Sequence, residues 1–368
     1  MSVAINGTNG ITYNDGSLQP SAPVGQNLII NGNMAIDQRN AGASVTPINQ
    51  QYTIDRWRGV MSQSSKFSVQ QNAGSVTPPA GFSNYLGIVS LSAYSVPSSE
   101  VFSLSQSIEG YNIADLRWGT ANAKTVTLSF QVYSSLTGTF GGSLQNASVN
   151  RSYPFSFTVS VANTWTTISI TIAGDTSGSW NNTNSTGILL SFGLGAGSTW
   201  SGTAGAWVGA NYYSVTGATS VVGTSGATFY VTGVQLEANT TATPFENLQY
   251  GQQLALCQRY FQVLSYVSGS NVAVAMSTAT DSAITTFYYS QKRATPTVTL
   301  PPASKTNGIS FLTVTGAYPG TVGTNTADRI NVTSSRISGA SYVGLAGAGR
   351  GAFLYATGDQ VITISAEL

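Results

Sequence analysis

Apolar and polar residues alternate with a period of two through most of the chain, and this pattern constrains the fold more than any other feature. Between residues 60 and 243 the apolar phase recurs in short runs, namely Val126/Leu128/Phe130/Val132, Phe155/Phe157/Val159/Val161, Ile168/Ile170/Ile172 and Leu190/Phe192/Leu194. Turns rich in Gly, Asn and Asp separate the runs. Strands with one apolar face must cover it with a second layer, so the pattern predicts two packed antiparallel sheets.

The last of these runs changes phase. Phe229 and Val231 share one phase, Val234 and Leu236 share the other, and Gly233 lies between them. One extra residue in a strand produces such a change, so we predict a β-bulge at Gly233.

Residues 244–265 break the alternation and are predicted to form one long helix that joins two β regions. Apolar residues spaced by three and four form two adjacent stripes, Leu254/Cys257/Phe261/Leu264 and Leu256/Tyr260/Val263. Pro244 suits a helix start, and Glu246 favours a first turn. Two stripes leave little helix surface for water. We therefore expect interdomain or oligomer packing by Leu254, Cys257, Tyr260, Phe261 and Leu264.

The chain thus divides into four predicted parts. Residues 1–25 form an N-terminal attachment or oligomerisation segment, which is turn-rich and too poor in apolar residues to bury a core alone. Residues 26–243 form the β-sandwich, residues 244–265 the linking helix, and residues 266–368 a small C-terminal β tip domain in which the alternation resumes. The predicted fold class is all-β with one linking α-helix.

Charge and hydropathy narrow the possible partners. Only 7% of the residues are charged, against about 25% in ordinary soluble proteins, and the net charge is +1. This balance gives no electrostatic basis for binding nucleic acid or an anionic membrane. We find no signal-peptide pattern and no run of about 20 apolar residues, so we expect neither ordinary secretion nor membrane insertion. A polar surface with few charges is common where a protein docks on copies of itself or on neutral glycans.

The chemical inventory excludes most catalytic sites. The chain has no His and a single Cys, which removes Ser-His-Asp and Cys-His arrangements, His-based metal sites and zinc ribbons. Paired carboxylates for glycan cleavage remain possible. However, neither Asp37/Asp55 nor Glu109/Asp115 is distinguished from an ordinary turn or salt-bridge pair. We therefore predict a protein that is not an enzyme and that needs no cofactor or metal.

Aromatic residues in the predicted loops are better placed for binding. Their rings can stack on the apolar faces of sugars, while nearby amides and hydroxyls supply hydrogen bonds. The candidate glycan or receptor contacts are Trp180, Trp200, Trp207, Tyr212, Tyr213, Tyr318, Tyr342 and Tyr355. The alternative for each ring is that it fills the sandwich or a subunit interface.

Several motifs resemble those of phage and prophage tail-fibre proteins. The element Ile11-Thr-Tyr13-x-Asp15-Gly16 resembles one near the start of many such proteins, and Asp15-Gly16 suits a hairpin turn. An N-L-I-I-N-G … D-R-W opening matches through Asn27, Leu28, Ile30, Asn31, Gly32, Gln38, Arg39, Tyr52, Asp55, Arg56 and Trp57. The P-F-E … Y-G-x-x-L-A-L-C-Q-R-Y segment from Pro244 to Tyr260 resembles the hinge of the same proteins. The residues themselves indicate that Asp55 and Arg56 fix a turn and that Trp57 packs in the core.

Three further segments, at residues 105–110, 124–130 and 229–237, resemble the carbohydrate-binding-module type of jelly roll. Glu109 and Glu237 lie at the predicted strand ends of two of them, where they could bind a structural calcium ion or cap backbone amides. The resemblance indicates a jelly-roll fold for the sandwich more than any particular ligand.

Together the resemblances imply a bacteriophage virion protein. The leading expectation is a homotrimeric tail fibre that attaches to other virion proteins through its N-terminal segment and to host surface polysaccharide through its tip. A capsid decoration or head-fibre protein is an alternative within the virion class, and a glycan-cleaving tailspike is an alternative from another class.

Overall fold

The computed structural model describes residues 27–304, 306–313, 322–342, 345 and 347–368, and three short strands before them. These strands are β1 (Ala4–Asn6), β2 (Gly10–Thr12) and β3 (Leu18–Gln19), which form one antiparallel sheet in that order. The predicted turn at Asp15-Gly16 and the rest of the predicted attachment segment lie outside the described residues. The chain divides into two compact units, Met1–Gln253 and Leu254–Leu368.

The N-terminal unit is a sandwich of two antiparallel sheets, as the alternation predicts. Its strands are β4 (Tyr52–Ile54), β5 (Trp57–Met61), β6 (Phe67–Gln71), β7 (Leu86–Ser90), β8 (Val101–Glu109), β9 (Val126–Ser134), β10 (Gly138–Asn146), β11 (Ser152–Val159), β12 (Thr166–Ile172), β13 (Thr186–Ala196), β14 (Ser201–Gly202), β15 (Ser214–Val215) and β16 (Thr228–Glu237). One sheet has the order β11-β10-β13-β8-β5-β4, and the other has the order β12-β9-β16-β7-β6. Strands β14 and β15 form a separate short parallel pair.

One apolar core fills the space between these two sheets. The predicted apolar phase of β9 is buried along its length, and the Phe130 ring meets Phe157 and Phe192 edge-to-face at 5.0 Å. The run predicted through Val161 ends two residues earlier, because Asn163 takes a left-handed φ of 55° in the turn that follows. Val161 is consequently 60% exposed. The all-β, jelly-roll fold class is otherwise confirmed.

The bulge predicted at Gly233 is also confirmed. The pairing of β16 with β9 shifts register between Thr232 and Gln235, and Gly233 has a φ of +61°. A Cβ at this position would lie 2.5 Å from Cζ of Phe82. Glycine therefore satisfies both the left-handed backbone and the close approach of the phenyl ring.

The turn between β4 and β5 has the structural role expected from its residues. Arg56 adopts a φ of +72° in this turn, and Asp55 accepts two hydrogen bonds of 2.7 Å from Gln38. Trp57 is fully buried, stacks on Phe192, and donates its indole N–H to the Asn31 carbonyl at 3.1 Å. The opening motif therefore fixes the β4–β5 turn and contributes Trp57 to the core of the sandwich.

The linking helix is much shorter than predicted. Helix α1 spans Tyr250–Gln258, and residues 261–266 form strand β17 (Phe261–Tyr266). This strand pairs with six consecutive residues near the C-terminus, so sheet pairing overrides the local helical spacing. Before the helix, the Glu246 carboxylate accepts a hydrogen bond from the Asn27 backbone N–H at 2.8 Å. The helix predicted over 244–265 is thus wrong at both ends.

The burial of the predicted helix stripes is uneven. Cys257, Tyr260 and Phe261 are buried, whereas Leu254 and Leu264 are half-buried. Leu256 is 39% exposed, which contradicts a second fully covered stripe. The packing of this segment against other domains or copies stays a prediction. No helix within the described ranges is long and apolar enough to cross a membrane.

The C-terminal unit is also built from antiparallel sheets. Beyond β17 its strands are β18 (Asn271–Ala279), β19 (Ser282–Tyr288), β20 (Thr297–Thr299), β21 (Ile309–Thr313), β22 (Thr324–Asp328), β23 (Ser334–Ala340), β24 (Gly351–Ala356) and β25 (Gln360–Ser365). A three-stranded sheet has the order β17-β25-β20, and a six-stranded sheet has the order β21-β24-β18-β19-β23-β22. A second apolar core packs within this unit, around residues such as Phe287, Phe311 and Leu354.

Lys292 is buried in the C-terminal unit. Its ammonium donates to the Gln258 carbonyl and, at 3.0 Å, to Oε1 of Gln262. Burial lowers the pKa of Lys292 from 10.5 to about 8, although the Glu367 carboxylate opposes this shift. The folded unit therefore binds this proton less tightly than the unfolded chain does.

This lowered pKa predicts an unusual pH dependence. Above the folded pKa the unfolded chain still binds a proton that the folded unit has released, so stability should rise with pH. We expect the free energy of unfolding of the C-terminal unit to increase by roughly 2 kcal/mol between pH 8 and 10. Chemical denaturation across this range would measure it. The range stops at pH 10 because burial raises the pKa of Tyr266, Tyr289 and Tyr342. At higher pH the unfolded chain loses these protons more readily than the folded unit, and this lowers the free energy of unfolding.

Two variants test the assignment of this pH dependence to Lys292. Lys292→Met should abolish the rise, while Lys66→Met, at a lysine that lies over the Tyr94 ring in the other unit, should leave it unchanged. A rise that persists in Lys292→Met would contradict the assignment.

Candidate functional site

A groove of about 250 Å³ crosses the outer face of the five-stranded sheet in the N-terminal unit. Its floor consists of the outward residues Ser129 and Gln131 of β9 and Thr167 and Ser169 of β12. The strand register places Thr167 opposite Gln131, and the Thr167 hydroxyl donates to Gln131 Oε1 at 3.0 Å. The outward residues of the two strands therefore place hydroxyl and amide groups on one side of the groove, because alternate residues of a strand share one face.

Two phenylalanines form an apolar wall of this groove. The rings of Phe82 and Phe245 meet edge-to-face with their centroids 5.1 Å apart. The bulge at Gly233 makes room for Phe82, since any side chain there would collide with the ring. The wall and the polar floor together create a site with one apolar and one hydrogen-bonding side.

Phe245 is held in place by the end of β16. Glu237 accepts hydrogen bonds from the Thr243 backbone N–H and hydroxyl, both at 2.8 Å. Gln235 Oε1 accepts the Glu246 backbone N–H at the same distance. The P-F-E motif thus anchors an irregular segment that carries Phe245 into the groove, and Glu237 caps backbone amides as one of its two expected roles.

An aromatic cluster continues the same sheet face beyond the groove. Tyr133 lies two residues after Gln131 on β9, and its ring stacks on Tyr230 at 5.3 Å with an interplanar angle of 6°. Trp165 packs at 5.5 Å from both Tyr133 and Tyr85, and its indole N–H donates to the Thr77 carbonyl. Burial raises the pKa of the Tyr85 and Tyr230 hydroxyls, so both stay protonated at neutral pH.

The groove has no charged side chain among its twelve lining residues. Hydroxyl and amide groups can exchange hydrogen bonds with sugar hydroxyls, and the phenyl rings can contact the apolar face of a sugar ring. Within the described ranges, moreover, no three His, Cys, Asp or Glu residues are grouped so that they could hold a metal ion. The groove is therefore suited to reversible binding of an uncharged, hydroxyl-rich ligand.

The structure gives Trp180 and Trp207 a packing role. With Trp118 they form a triangle of edge-to-face contacts, with centroid distances of 4.7–5.3 Å. The indole N–H of Trp207 donates to Ala173 O at 2.7 Å, and that of Trp180 donates to Asp175 Oδ2 at 3.2 Å. Both rings are half-buried. Because their indole N–H groups already donate to acceptors within the protein, these groups are not offered to a ligand.

Trp200, Tyr212 and Tyr213 lie near the opposite, six-stranded sheet. Trp200 meets Tyr213 edge-to-face at 5.8 Å and donates its N–H to the Ser99 carbonyl. Tyr213 is buried in a small cluster with Val60, and Tyr212 is half-buried beside Gly202. These three rings therefore do not join the groove.

The candidates in the C-terminal unit are equally scattered. Tyr342 is fully buried and donates its hydroxyl to Asn325 Oδ1 at 2.7 Å, so its predicted role as a surface contact is wrong. Tyr355 is half-buried on β24, and Tyr318 lies outside the described residues.

The possible carboxylate pairs have structural partners. Asp37 accepts the backbone N–H groups of Asn40 and Gly42, and Asp115 forms an exposed ion pair with Lys124 at 3.1 Å. None of these acidic residues lines the groove.

No family model matches the sequence, and no curated protein matches it. Among solved structures, the chain is similar to the enzymatically active domain of bacteriophage CBA120 tailspike protein 4, with 12% sequence identity. The match covers 58% of this chain and 21% of that chain, and its TM-score is 0.32. This chain thus spans about a fifth of that tailspike domain.

Two sugar-binding proteins give comparable values. A family 11 carbohydrate-binding module from Clostridium thermocellum, in complex with a β-1,3-1,4-mixed-linked tetrasaccharide, is 13% identical over 54% of this chain and 97% of its own, with a TM-score of 0.29. A putative sugar binding protein from Bacteroides thetaiotaomicron is 13% identical to this chain. The match covers 58% of this chain and 100% of that protein, with a TM-score of 0.34. Likeness at this level carries no argument about ligand or activity.

Proposed function

We propose that this chain is a bacteriophage virion protein that attaches to host surface glycan through the groove on the five-stranded sheet. The observation that carries the binding part of this proposal is the polar floor of Ser129, Gln131, Thr167 and Ser169 beside the Phe82/Phe245 wall. The ligand would be an uncharged polysaccharide, because the lining offers it no charge.

The virion part of the proposal rests on the opening and hinge motifs. A homotrimeric tail fibre is the form that these motifs favour, with the N-terminal segment joining other virion proteins. Gold labelling of the C-terminus on intact particles would test the position, and label on the capsid would favour a decoration or head-fibre protein instead.

We propose that the protein binds glycan without cleaving it. Glycan cleavage requires two suitably placed carboxylic acids, and the groove lining contains none. Incubation with host polysaccharide should release no reducing ends. Release of reducing ends would support the tailspike alternative.

Phe82→Ala should weaken glycan binding about tenfold. Removal of the ring takes away half of the apolar wall, and an aromatic contact of about 1.4 kcal/mol corresponds to a factor of ten in Kd. Titration calorimetry with neutral polysaccharide from the host surface would measure the change. Phe82 is only half-buried, so the thermal melting profile should shift little.

A matched variant separates this effect from a general loss of aromatic surface. Tyr111→Ala removes an exposed ring of the N-terminal unit that lies outside the groove, and this variant should bind glycan as the wild type does. Equal affinities for wild type and Phe82→Ala would remove the groove from the proposal.

A further inference from the structure

One side chain on the floor of the groove carries a hydrogen-bond donor that the chain itself does not use. The carboxamide oxygen of Gln131 accepts the Thr167 hydroxyl at 3.0 Å, and this contact fixes which way the amide points. Nε2 of Gln131 forms no hydrogen bond with any residue in the described ranges. Gln131 is half-buried and lines the groove, so the two N–H groups on this nitrogen are available to a bound ligand.

The apolar wall of the groove begins beside this donor. The strand register pairs Gln131 with Thr232 of β16, and the next residue, Gly233, leaves the space that the Phe82 ring occupies. Phe245 meets Phe82 edge-to-face, and both rings are half-buried. A group bound at this point of the groove therefore meets an amide donor on one side and phenyl rings on the other.

Two serines on the floor supply further polar contacts. Ser129 and Ser169 lie opposite each other in the register of β9 and β12, and neither hydroxyl is hydrogen-bonded to a described residue. A serine hydroxyl both donates and accepts, which matches the hydroxyls of a sugar ring. The Thr243 hydroxyl also lines the groove, but it already donates to Glu237 at 2.8 Å. The serines therefore suit the sugar ring, and Gln131 with the phenyl wall suits a substituent on that ring.

An acetamido group satisfies both sides of this substituent site at once. Its carbonyl oxygen accepts a hydrogen bond, the methyl group on the same carbon is apolar, and the group has no charge, in agreement with the uncharged lining. A sugar hydroxyl in the same place would accept from the amide but would bring no apolar group to the rings. The methyl group of a 6-deoxy sugar would contact the rings but leave the amide donor without an acceptor.

We propose that the groove recognises the acetamido group of an uncharged N-acetylated amino sugar. The acetamido carbonyl accepts from Nε2 of Gln131, the methyl group packs against Phe82 and Phe245, and Ser129 and Ser169 bind hydroxyls of the same sugar ring. This inference rests on the proposed function, because it names the class of sugar within the glycan that the groove binds.

Two disaccharides with the same linkage test this preference on the full chain. N,N′-diacetylchitobiose carries acetamido groups where cellobiose carries hydroxyls. In titration calorimetry it should bind about tenfold more tightly, because each acetamido group offers a methyl group to bury and a carbonyl acceptor. Methyl α-L-rhamnoside, a 6-deoxy sugar, should bind no better than cellobiose. Equal affinities for the two disaccharides, or tighter binding of the rhamnoside, would overturn the acetamido preference.

A pair of variants tests the role of Gln131. Glutamate has nearly the same shape as glutamine but replaces Nε2 with a carboxylate oxygen, so Gln131→Glu should lose the tenfold preference between the disaccharides. Gln249→Glu makes the same change at an exposed position of the N-terminal unit outside the groove, and it should keep the preference. A preference that persists in folded Gln131→Glu would overturn the assigned contact. The sugar comparison uses the wild type, so it decides the question even if this variant fails to fold.

Titration with neutral host polysaccharide separates this inference from the proposed function. A wild type that binds the polysaccharide through Phe82, but shows no preference for the acetylated disaccharide, would overturn the acetamido inference and leave glycan binding in the groove intact. A wild type that binds neither the polysaccharide nor either disaccharide would overturn both.

Discussion

Asp175→Asn should lower the free energy of unfolding of the N-terminal sandwich by about 3 kcal/mol, because it leaves a half-buried guanidinium without its counter-charge. The carboxylate is only 1% exposed and accepts two hydrogen bonds from Arg151, at 2.9 and 2.6 Å. It also accepts the indole N–H of Trp180. The asparagine has nearly the same shape, so the change isolates the charge. Urea denaturation followed by tryptophan fluorescence would measure it.

The pH dependence gives an independent measure of the same pair. Burial alone would raise the pKa of Asp175, but the Arg151 guanidinium, the Ser177 backbone N–H and the Trp180 indole together hold it below its usual 3.8. A carboxyl with a lowered folded pKa stabilises the fold above the unfolded pKa, and this contribution is lost as the pH falls through the folded value. The wild-type sandwich should therefore lose stability below about pH 4 more steeply than the asparagine variant.

An exposed ion pair of the same unit provides the control. Asp115 and Lys124 are 3.1 Å apart, with side chains 63% and 46% exposed. Because solvent screens such a pair, Asp115→Asn should change the free energy of unfolding by less than about 1 kcal/mol. Equal effects of the two asparagine variants would contradict a structural role for Asp175.

The aromatic loops show why the candidate site could not be predicted from the sequence. Trp180 and Trp207 occur among Gly, Ser and Asn, as ligand-binding rings often do. Nothing in their local sequence indicates that Trp118, about 60 positions before Trp180, completes a triangle with them. Such convergence is a property of the loop connections between strands, which the period-two pattern does not specify.

The groove was missed for a related reason, although one signal was available. Tyr133 occupies the polar phase of β9, after Ser129 and Gln131, where its ring must point away from the core. An aromatic residue in the outward phase of a regular strand places a ring on the outer sheet face, and here that ring belongs to the Tyr133/Tyr230/Trp165 cluster beside the groove. Phe82 and Phe245 carried no comparable signal, because both lie outside strands and depend on the bulge at Gly233 for their meeting.

The strands themselves could be predicted, because alternation is a local consequence of one buried face. The bulge followed from a phase change within a single strand. The helix could not be delimited in this way, since Phe261–Tyr266 is compatible with helical spacing until its partner is known. That partner, Gln360–Ser365, lies almost 100 residues further along the chain. Long-range pairing decided the local structure, and no short window of sequence contains it.

Asn31→Ala should destabilise the sandwich by about 4 kcal/mol, the second large effect that we expect. The fully buried side chain donates to the carbonyls of Ile36 and Asp55 at 2.8 and 3.0 Å, and it accepts the Ile36 backbone N–H at 3.0 Å. Alanine would leave three buried backbone groups unsatisfied, and it would also occupy a left-handed φ of 58° that favours asparagine or glycine.

Two variants separate the parts of this effect. Asn31→Gly removes the hydrogen bonds but tolerates the positive φ, so it should cost about 1 kcal/mol less than alanine in urea denaturation. Asn33→Ala removes a neighbouring amide whose one short-range contact is 3.4 Å long, and it should be nearly neutral. If Asn31→Ala were as mild as Asn33→Ala, the opening motif would have to be explained by a partner and not by the fold. If the large loss is observed, the motif that resembles those of tail-fibre proteins is one that builds the sandwich, and the glycan contacts that we propose come from the groove residues instead.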